Sequence, residues 1–175
     1  MDKVNSLISF ILVVLLFASC SKAKDVYPIG KKPIYLPFDS LLQFQQTAPE
    51  PIRNAGKINY RNQILFLGEQ QKGIHIIDMS DSTNPHLLSF LKIPGNIDMT
   101  ISGDFLYADN GPHLVVLNIA DLNNVQFVSR QLNQFKQSNV FPKNYSGRFE
   151  CIDEQKGWVI DWKTDTNLVN PKCYL

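Results

Sequence analysis

The sequence predicts an all-β fold made of propeller-like repeats, each with four short strands. The first observation is the strand and turn of residues 72–85, which return about 40 residues later as residues 112–124. The second is that four short strands recur at this spacing, which is typical of a propeller blade. Two units are clear and a third is partial. We therefore predict an incomplete or open propeller, because known propellers have about four or more blades.

The first residues predict a secretory signal. Residues 7–18 are almost continuously apolar, but this run is shorter than the roughly 20 residues that a membrane-spanning helix needs. Small residues and then Cys20 follow, and this order is similar to a bacterial lipoprotein signal. We therefore predict a signal peptide over residues 1–19, with a lipid such as palmitate on Cys20. The alternative is an ordinary cleaved signal with an incidental cysteine.

A lipidated Cys20 would anchor the protein to a membrane, since several acyl chains on one residue suffice for stable anchoring. Ser21 follows it, and the similarity to lipoprotein signals implies that an Asp there would hold the protein at the inner membrane. We therefore expect a lipid-anchored protein of the bacterial cell envelope, at the outer membrane. The chain has 17 basic and 16 acidic residues. This near-neutral balance does not favour a nucleic-acid partner.

Residues 20–45 are predicted to join the anchor to the folded domain. Their prolines favour an extended tether over residues 21–37. Residues 39–40 could then cap a short helix over residues 41–46, with coil pinned by apolar side chains as the alternative. The β-repeat domain is predicted over residues 46–175.

The two clear units have the same order of strands, each a short alternating or apolar run between turn residues. In the first unit the predicted strands are residues 57–60, 64–67, 74–78 and 86–93, and in the second they are residues 97–101, 105–108, 113–117 and 125–128. A partial third unit is predicted as a hairpin over residues 151–160. We expect two segments to cover the open edge of the repeats, because a bare strand edge invites aggregation. They are the leader, which is the segment between the anchor and the first unit, and the tail after Asp161.

Cys151 and Cys173 predict a disulfide. A compartment reached through a secretory signal permits oxidation, and no C-x-x-C metal spacing competes for these residues. The alternative is two separate thiols.

Five stretches carry a family resemblance: GKI at 56–58, KGIHIID at 72–78, IPGNID at 93–98, LYAD at 106–109 and LVVLNIAD at 114–121. They are similar to LVIVD-repeat proteins, which are secreted or lipid-anchored bacterial proteins with β-propeller-like repeats. The second unit departs from the pattern, with Asn118 where the name-giving Asp would stand. The resemblance implies a fold and a location but no activity, so it supplies no catalytic residue and no cofactor.

Two sets of polar residues are weak candidates for metal sites. Oxygens at alternate positions, as in a calcium loop, belong to Asp78, Ser80, Ser82 and Asn84. This loop lacks the glycine and the bidentate glutamate of an EF-hand, so we interpret it as a turn held by Asx-type hydrogen bonds. The histidines are His75, His86 and His113. They lack further ligands at zinc spacing, and we predict no metal site.

Aromatic residues near the tail predict a ligand surface formed by Trp158, Trp162 and Tyr145. Exposed aromatic rings stack on sugars, so the sharper hypothesis is a glycan-binding face. The alternative is that Trp158 and Phe149 fill the core beside the disulfide.

The chain has no G-x-S-x-G elbow, no H-E-x-x-H helix and no phosphate-binding glycine loop. We therefore predict a non-catalytic module that binds a protein or a glycan. The alternative is an envelope enzyme, or an accessory subunit of one, that acts on glycan or peptide with residues in the 131–148 loop. Specificity is expected in that loop and in the aromatic tail, because these parts do not repeat.

Overall fold

The computed structural model describes residues 26–27, 29–136 and 141–175. The predicted signal peptide, the lipidation site Cys20 and its neighbour Ser21 lie outside the described residues. Within the described ranges, no helix is both long enough and apolar enough to cross a membrane.

Strands make up most of the described structure. In chain order they are β1 (Val26–Tyr27), β2 (Gly30–Leu36), β3 (Gln45–Thr47), β4 (Ala55–Arg61), β5 (Ile64–Glu69), β6 (Gly73–Asp78), β7 (His86–Lys92), β8 (Met99–Ser102), β9 (Phe105–Asn110), β10 (His113–Asn118), β11 (Gln126–Gln131), β12 (Arg148–Phe149), β13 (Trp158–Asp165), β14 (Leu168–Val169) and β15 (Cys173–Tyr174). One short helix, α1 (Phe38–Leu41), lies between β2 and β3.

The two predicted units are two antiparallel sheets. The first has the order β3-β7-β6-β5-β4 and the second has the order β11-β10-β9-β8. All eight predicted strands of these units are confirmed, with ends that differ from the predicted ones by at most three residues. The all-β, propeller-like fold class is therefore confirmed.

The apolar faces of the two sheets form one core. Its members from the first sheet include Phe66, Ile74, Ile76 and Leu91, and those from the second include Leu106, Ala108, Val115 and Leu117. Ile74 and Ile76 are two residues apart, as are Val115 and Leu117, because alternate side chains of a strand point to the same face. Burial of each such side chain stabilises the fold by about 1.5–3 kcal/mol.

The leader is a strand where a tether was predicted. β2 pairs antiparallel with β13, from Gly30 opposite Asp165 to Leu36 opposite Trp158. On its other side, β2 meets β12 only at Lys31. Because proline cannot donate a ladder hydrogen bond, such a nearly open edge tolerates it. The prolines therefore do not keep this segment out of a sheet.

The predicted helix over residues 41–46 is also corrected. The helix is the four residues of α1, and residues 45–47 form β3. The backbone of β3 pairs with β7, from Gln45 opposite Lys92 to Thr47 opposite Phe90, so it is not free to continue a helix. β3 thus covers one edge of the first sheet, beside β7.

The third unit is built differently from the prediction. Residues 151–157 contain no strand, so the hairpin over residues 151–160 does not form. Instead β13 joins the leader in a third sheet of order β13-β2-β12-β15, and β1 pairs with β14. The tail therefore pairs with the leader rather than covering the edge of a repeat sheet.

Gln46 on β3 connects the two repeat sheets. Its side-chain amide donates to Ser89 Oγ of the first sheet at 2.9 Å and to the Leu122 carbonyl at 2.7 Å. Its Oε1 accepts the N–H of Val125, which precedes β11, at 2.8 Å. Val125 is only 5% exposed, so its N–H depends on this contact.

Replacing Gln46 with methionine, which has a similar shape, is expected to lower the free energy of unfolding by about 1–3 kcal/mol. The change leaves the Val125 N–H and the Leu122 carbonyl without this partner, and a buried polar group left unpaired has a cost of that size. Urea unfolding of the variant measures the effect. Gln45→Met on the same strand is the control, because Gln45 is exposed. Equal effects of the two changes would contradict the connection.

Candidate functional site

A cleft of about 740 Å³ lies between residues of the first repeat sheet and the third sheet. We call it the Trp162 cleft. Its walls are Lys31 and four segments, residues 53–54, 69–72, 141–143 and 159–162. Pairing of the leader with the tail brings these distant segments together.

Glu69 fixes one wall of the Trp162 cleft. It is 2% exposed, and its two carboxylate oxygens accept the N–H of Asn54 at 2.7 Å and of Arg53 at 2.9 Å. Nε2 of the fully buried His75 lies 3.2 Å from Glu69 Oε2 and donates the third hydrogen bond. Burial by itself raises the pKa of the Glu69 carboxyl. The hydrogen bonds from Arg53, His75 and Asn54 outweigh burial and hold that pKa below its usual value.

The β5–β6 turn holds Gln71 in a left-handed conformation, with φ of 66°. Its N–H donates to the Asn96 carbonyl at 2.6 Å, and its carbonyl accepts the Gly95 N–H at 2.9 Å. A non-glycine residue in this region carries strain of about 1 kcal/mol or more, which surrounding contacts must offset. The side-chain Oε1 of Gln71 is buried and has no hydrogen-bond partner among the described residues.

Trp162 forms the aromatic part of the cleft. Its ring packs edge-on against Phe149 at 5.5 Å between centroids, and Phe149 packs in the same way against Phe141 at 6.1 Å. Phe149 is 3% exposed and supports the other two rings from the core. The Nε1–H of Trp162 is buried and has no acceptor among the described residues.

The walls of the cleft carry more cations than free carboxylates. The cations are Lys31, Arg53, Lys72 and Lys143. None of them forms an ion pair with another described residue. Of the two carboxylates, Glu69 is fully hydrogen-bonded within the fold, and Asp161 Oδ1 accepts the N–H of Trp162 at 2.7 Å.

The structure does not bring the three predicted aromatic residues together on one surface. Trp162 lines the cleft, but Trp158 is 9% exposed and belongs to the core, so the prediction is corrected at that position. Phe149 is buried as well, which confirms the alternative for these two residues. Tyr145 does not line the cleft; its hydroxyl donates to the Arg148 carbonyl at 2.8 Å, and its ring lies 5.7 Å from Lys31 Nζ.

The loop weighed as a calcium site is held by Asx-type turns. Asp78 Oδ1 accepts the Ser80 N–H at 2.8 Å, and Asp81 Oδ1 accepts the Thr83 hydroxyl at 2.7 Å and the Thr83 N–H at 2.9 Å. These bonds lower the pKa of both carboxyls and confirm the interpretation as a turn. Among the described residues, no three His, Cys, Asp or Glu side chains are grouped as metal ligands would be.

The histidines are dispersed. His75 binds Glu69, while His86 Nε2 lies 3.3 Å from the Asn84 side-chain amide on the exposed loop. His113 Nδ1 accepts the Asn133 N–H at 3.2 Å, and burial and nearby Arg130 lower its pKa.

The predicted disulfide between Cys151 and Cys173 is present, with the Cα atoms 5.2 Å apart. It joins the segment before β13 to β15. Because Phe149 is paired with Cys173 in the third sheet, the bridge lies beside the ring that supports Trp162.

The sequence of the two repeat sheets matches a known family of repeats. The family model of the LVIVD repeat matches residues 53–91 and 97–131, which are the spans of β4–β7 and β8–β11. The chain contains two LVIVD repeats. No curated protein and no solved structure matches it significantly.

In this LVIVD-repeat protein, the Trp162 cleft combines parts that the sequence indicated with parts that it did not. Trp162 and residues 141–143 belong to the tail and the loop in which specificity was expected. Residues 53–54 and 69–72 were not among the predicted site residues. The signal that could have found them is a difference between repeats, since residues 69–72 (Glu-Gln-Gln-Lys) correspond to residues 110–112 (Asn-Gly-Pro) in the second repeat.

Proposed function

We propose that this LVIVD-repeat protein is a non-catalytic binding module of the bacterial cell envelope, anchored to the outer membrane by lipid on Cys20. Its ligand, a protein or a glycan, occupies the Trp162 cleft. The observation that supports this most is the set of exposed cations on the cleft wall, Arg53, Lys72 and Lys143, which form no ion pair with another described residue. An opposite charge within about 4–6 Å of a cation is stabilised, so a ligand with negative groups gains by binding there.

The carboxylates of the cleft support binding rather than catalysis. A general acid or base needs a carboxyl that can exchange a proton with a substrate. Both oxygens of Glu69 accept hydrogen bonds from the fold, and its lowered pKa favours the ionised form. Asp161 accepts the N–H of its neighbour. These hydrogen bonds support a binding role for the cleft.

The disulfide supports the envelope location, because disulfides persist in oxidising compartments such as the periplasm and the cell surface. The anchor is tested by expressing the full-length protein in bacteria with radiolabelled palmitate. Label and membrane association are expected for the wild type and lost for Cys20→Ala. A protein that remained soluble and unlabelled would contradict the proposed anchor.

The binding role is tested with fractions of the producing cell's envelope, namely peptidoglycan, outer-membrane polysaccharide and outer-membrane proteins. The full-length protein is expected to bind one fraction, and Trp162→Phe and Gln71→Met are expected to weaken that binding. Tyr60→Phe is the control, because Tyr60 is exposed on β4 and does not line the cleft. Equal binding by all variants would contradict a role for the cleft. A bound ligand recovered in cleaved form would contradict the non-catalytic role.

A further inference from the structure

We propose that the Trp162 cleft binds an anionic saccharide, a sugar chain that carries carboxylate or phosphate groups. This inference rests on the proposed binding function and narrows its ligand to one chemical class. It combines the charge of the walls, the aromatic side chains and the shape of the strand that borders the cleft.

The charge of the walls selects an anion. Arg53, Lys72 and Lys143 are exposed at the cleft and make no ion pair with other described residues. The carboxylates of Glu69 and Asp161 already accept backbone N–H groups of the protein. A ligand in the cleft therefore meets positive charge that the protein does not neutralise, and oppositely charged groups within about 4–6 Å of such cations are stabilised.

The aromatic side chains add a surface for the apolar face of a sugar ring. Phe141 is 46% exposed at the cleft, and both Phe141 and Trp162 are braced by the buried Phe149. Aromatic rings that are supported in this way bury contact area with little loss of side-chain entropy.

The bordering strand favours a saccharide over an acidic peptide. An extended peptide commonly binds by adding a strand to a free sheet edge. β13 is the edge strand of the third sheet, and Val159 to Trp162 line the cleft. Its register is interrupted between Val159 and Asp161. A bulge in an edge strand disrupts further strand pairing, so this edge is a poor template for a peptide.

The test measures binding of the full-length protein, extracted in detergent, to oligogalacturonides by calorimetry. The matched ligand is the same oligosaccharide with its carboxyl groups methyl-esterified, which keeps the sugar rings and removes the charge. We expect the ester to bind about tenfold or more weakly, because several ion pairs are lost together. A mannose oligosaccharide with and without phosphate provides the same comparison for phosphate and identifies which anionic group is preferred.

Variants locate the site. Arg53→Gln and Lys72→Gln are each expected to weaken binding about twofold to fivefold. Lys92→Gln, an equal change of charge on β7 outside the cleft, is expected to leave binding unchanged. Phe141→Ala and Trp162→Ala remove the two aromatic side chains that line the cleft. They are expected to weaken binding about fivefold with an unchanged circular dichroism spectrum.

Three results would overturn the inference. Equal binding of acid and ester would show a neutral glycan site, and the proposed binding function would stand. Tighter binding of polyglutamate than of either acidic sugar, with the same sensitivity to the variants, would assign the cleft to an acidic peptide. If the folded protein bound no saccharide, an anionic saccharide would be excluded as the ligand. The proposed binding function would then be tested by the envelope fractions alone.

Discussion

Truncation of Leu41 to alanine is expected to lower the free energy of unfolding by about 2–5 kcal/mol. Leu41 ends α1 and is completely buried. It lies against Gly95 and Gly111, at the point where the Gly111 N–H donates to the Gly95 carbonyl. Removal of its branched end leaves a cavity in a place where backbone, rather than mobile side chains, forms the walls.

Glycine at position 111 makes this packing possible. A β-carbon there would lie 3.0 Å from both δ-carbons of Leu41 and 3.3 Å from Cδ2 of Trp158. Gly111 also has a φ of 62°, a left-handed conformation that residues with a β-carbon rarely adopt. The space beside this glycine is therefore filled by Leu41 from the leader and Trp158 from the third sheet. Leu41 thus joins the leader to the second repeat.

Chemical unfolding monitored by tryptophan fluorescence measures the loss. Leu42→Ala removes the same atoms from the next residue, which is 47% exposed, and is expected to change stability by less than about 0.5 kcal/mol. Leu41→Met, which nearly conserves volume, is expected to cost less than about 1.5 kcal/mol. If Leu41→Ala and Leu42→Ala were equally mild, the leader would not be a packed part of the fold.

The strands of the two repeats could be predicted because each carries its own local signal. In β10, for example, Val115 and Leu117 alternate with more exposed neighbours, whereas β6 of the first repeat is a continuous buried run from Gly73 to Ile77. Asp81 and Asp121 mark equivalent turns, and both accept N–H groups two residues later. Comparison of one repeat with the other made these patterns visible in a single sequence.

The third sheet could not be predicted, because its pairings have no local signal. β2 contains Pro33 and is far along the chain from its partner β13. Its assignment depends on a long-range contact, which neither proline content nor alternation shows. The same reason explains the cleft, since Arg53 and Gln71 become wall residues only when β13 is placed opposite them. Trp162 was found because it belongs to a cluster of aromatic residues near the tail, which is visible in the sequence itself.

Removal of the Cys151–Cys173 bridge is expected to lower the free energy of unfolding by about 3 kcal/mol. The cysteines are 22 residues apart, and closing a loop of this length restricts the unfolded chain by about that amount. The native structure depends on the bridge as well. β15 is held to β12 by a two-residue ladder, Arg148 opposite Tyr174 and Phe149 opposite Cys173. A ladder this short is marginal without a covalent link.

The same change is expected to weaken ligand binding in the Trp162 cleft, because Phe149 is both the ladder partner of Cys173 and the support of the Trp162 ring. Urea unfolding and ligand binding of Cys151→Ala/Cys173→Ala measure the two effects on one sample. Reductant should shift the wild type to the midpoint of the double variant and leave the variant unchanged. A loss of stability without a loss of binding would show that the cleft is positioned by the β2–β13 pairing alone. A wild type that did not respond to reductant under unfolding conditions would contradict the stabilising role of the bridge.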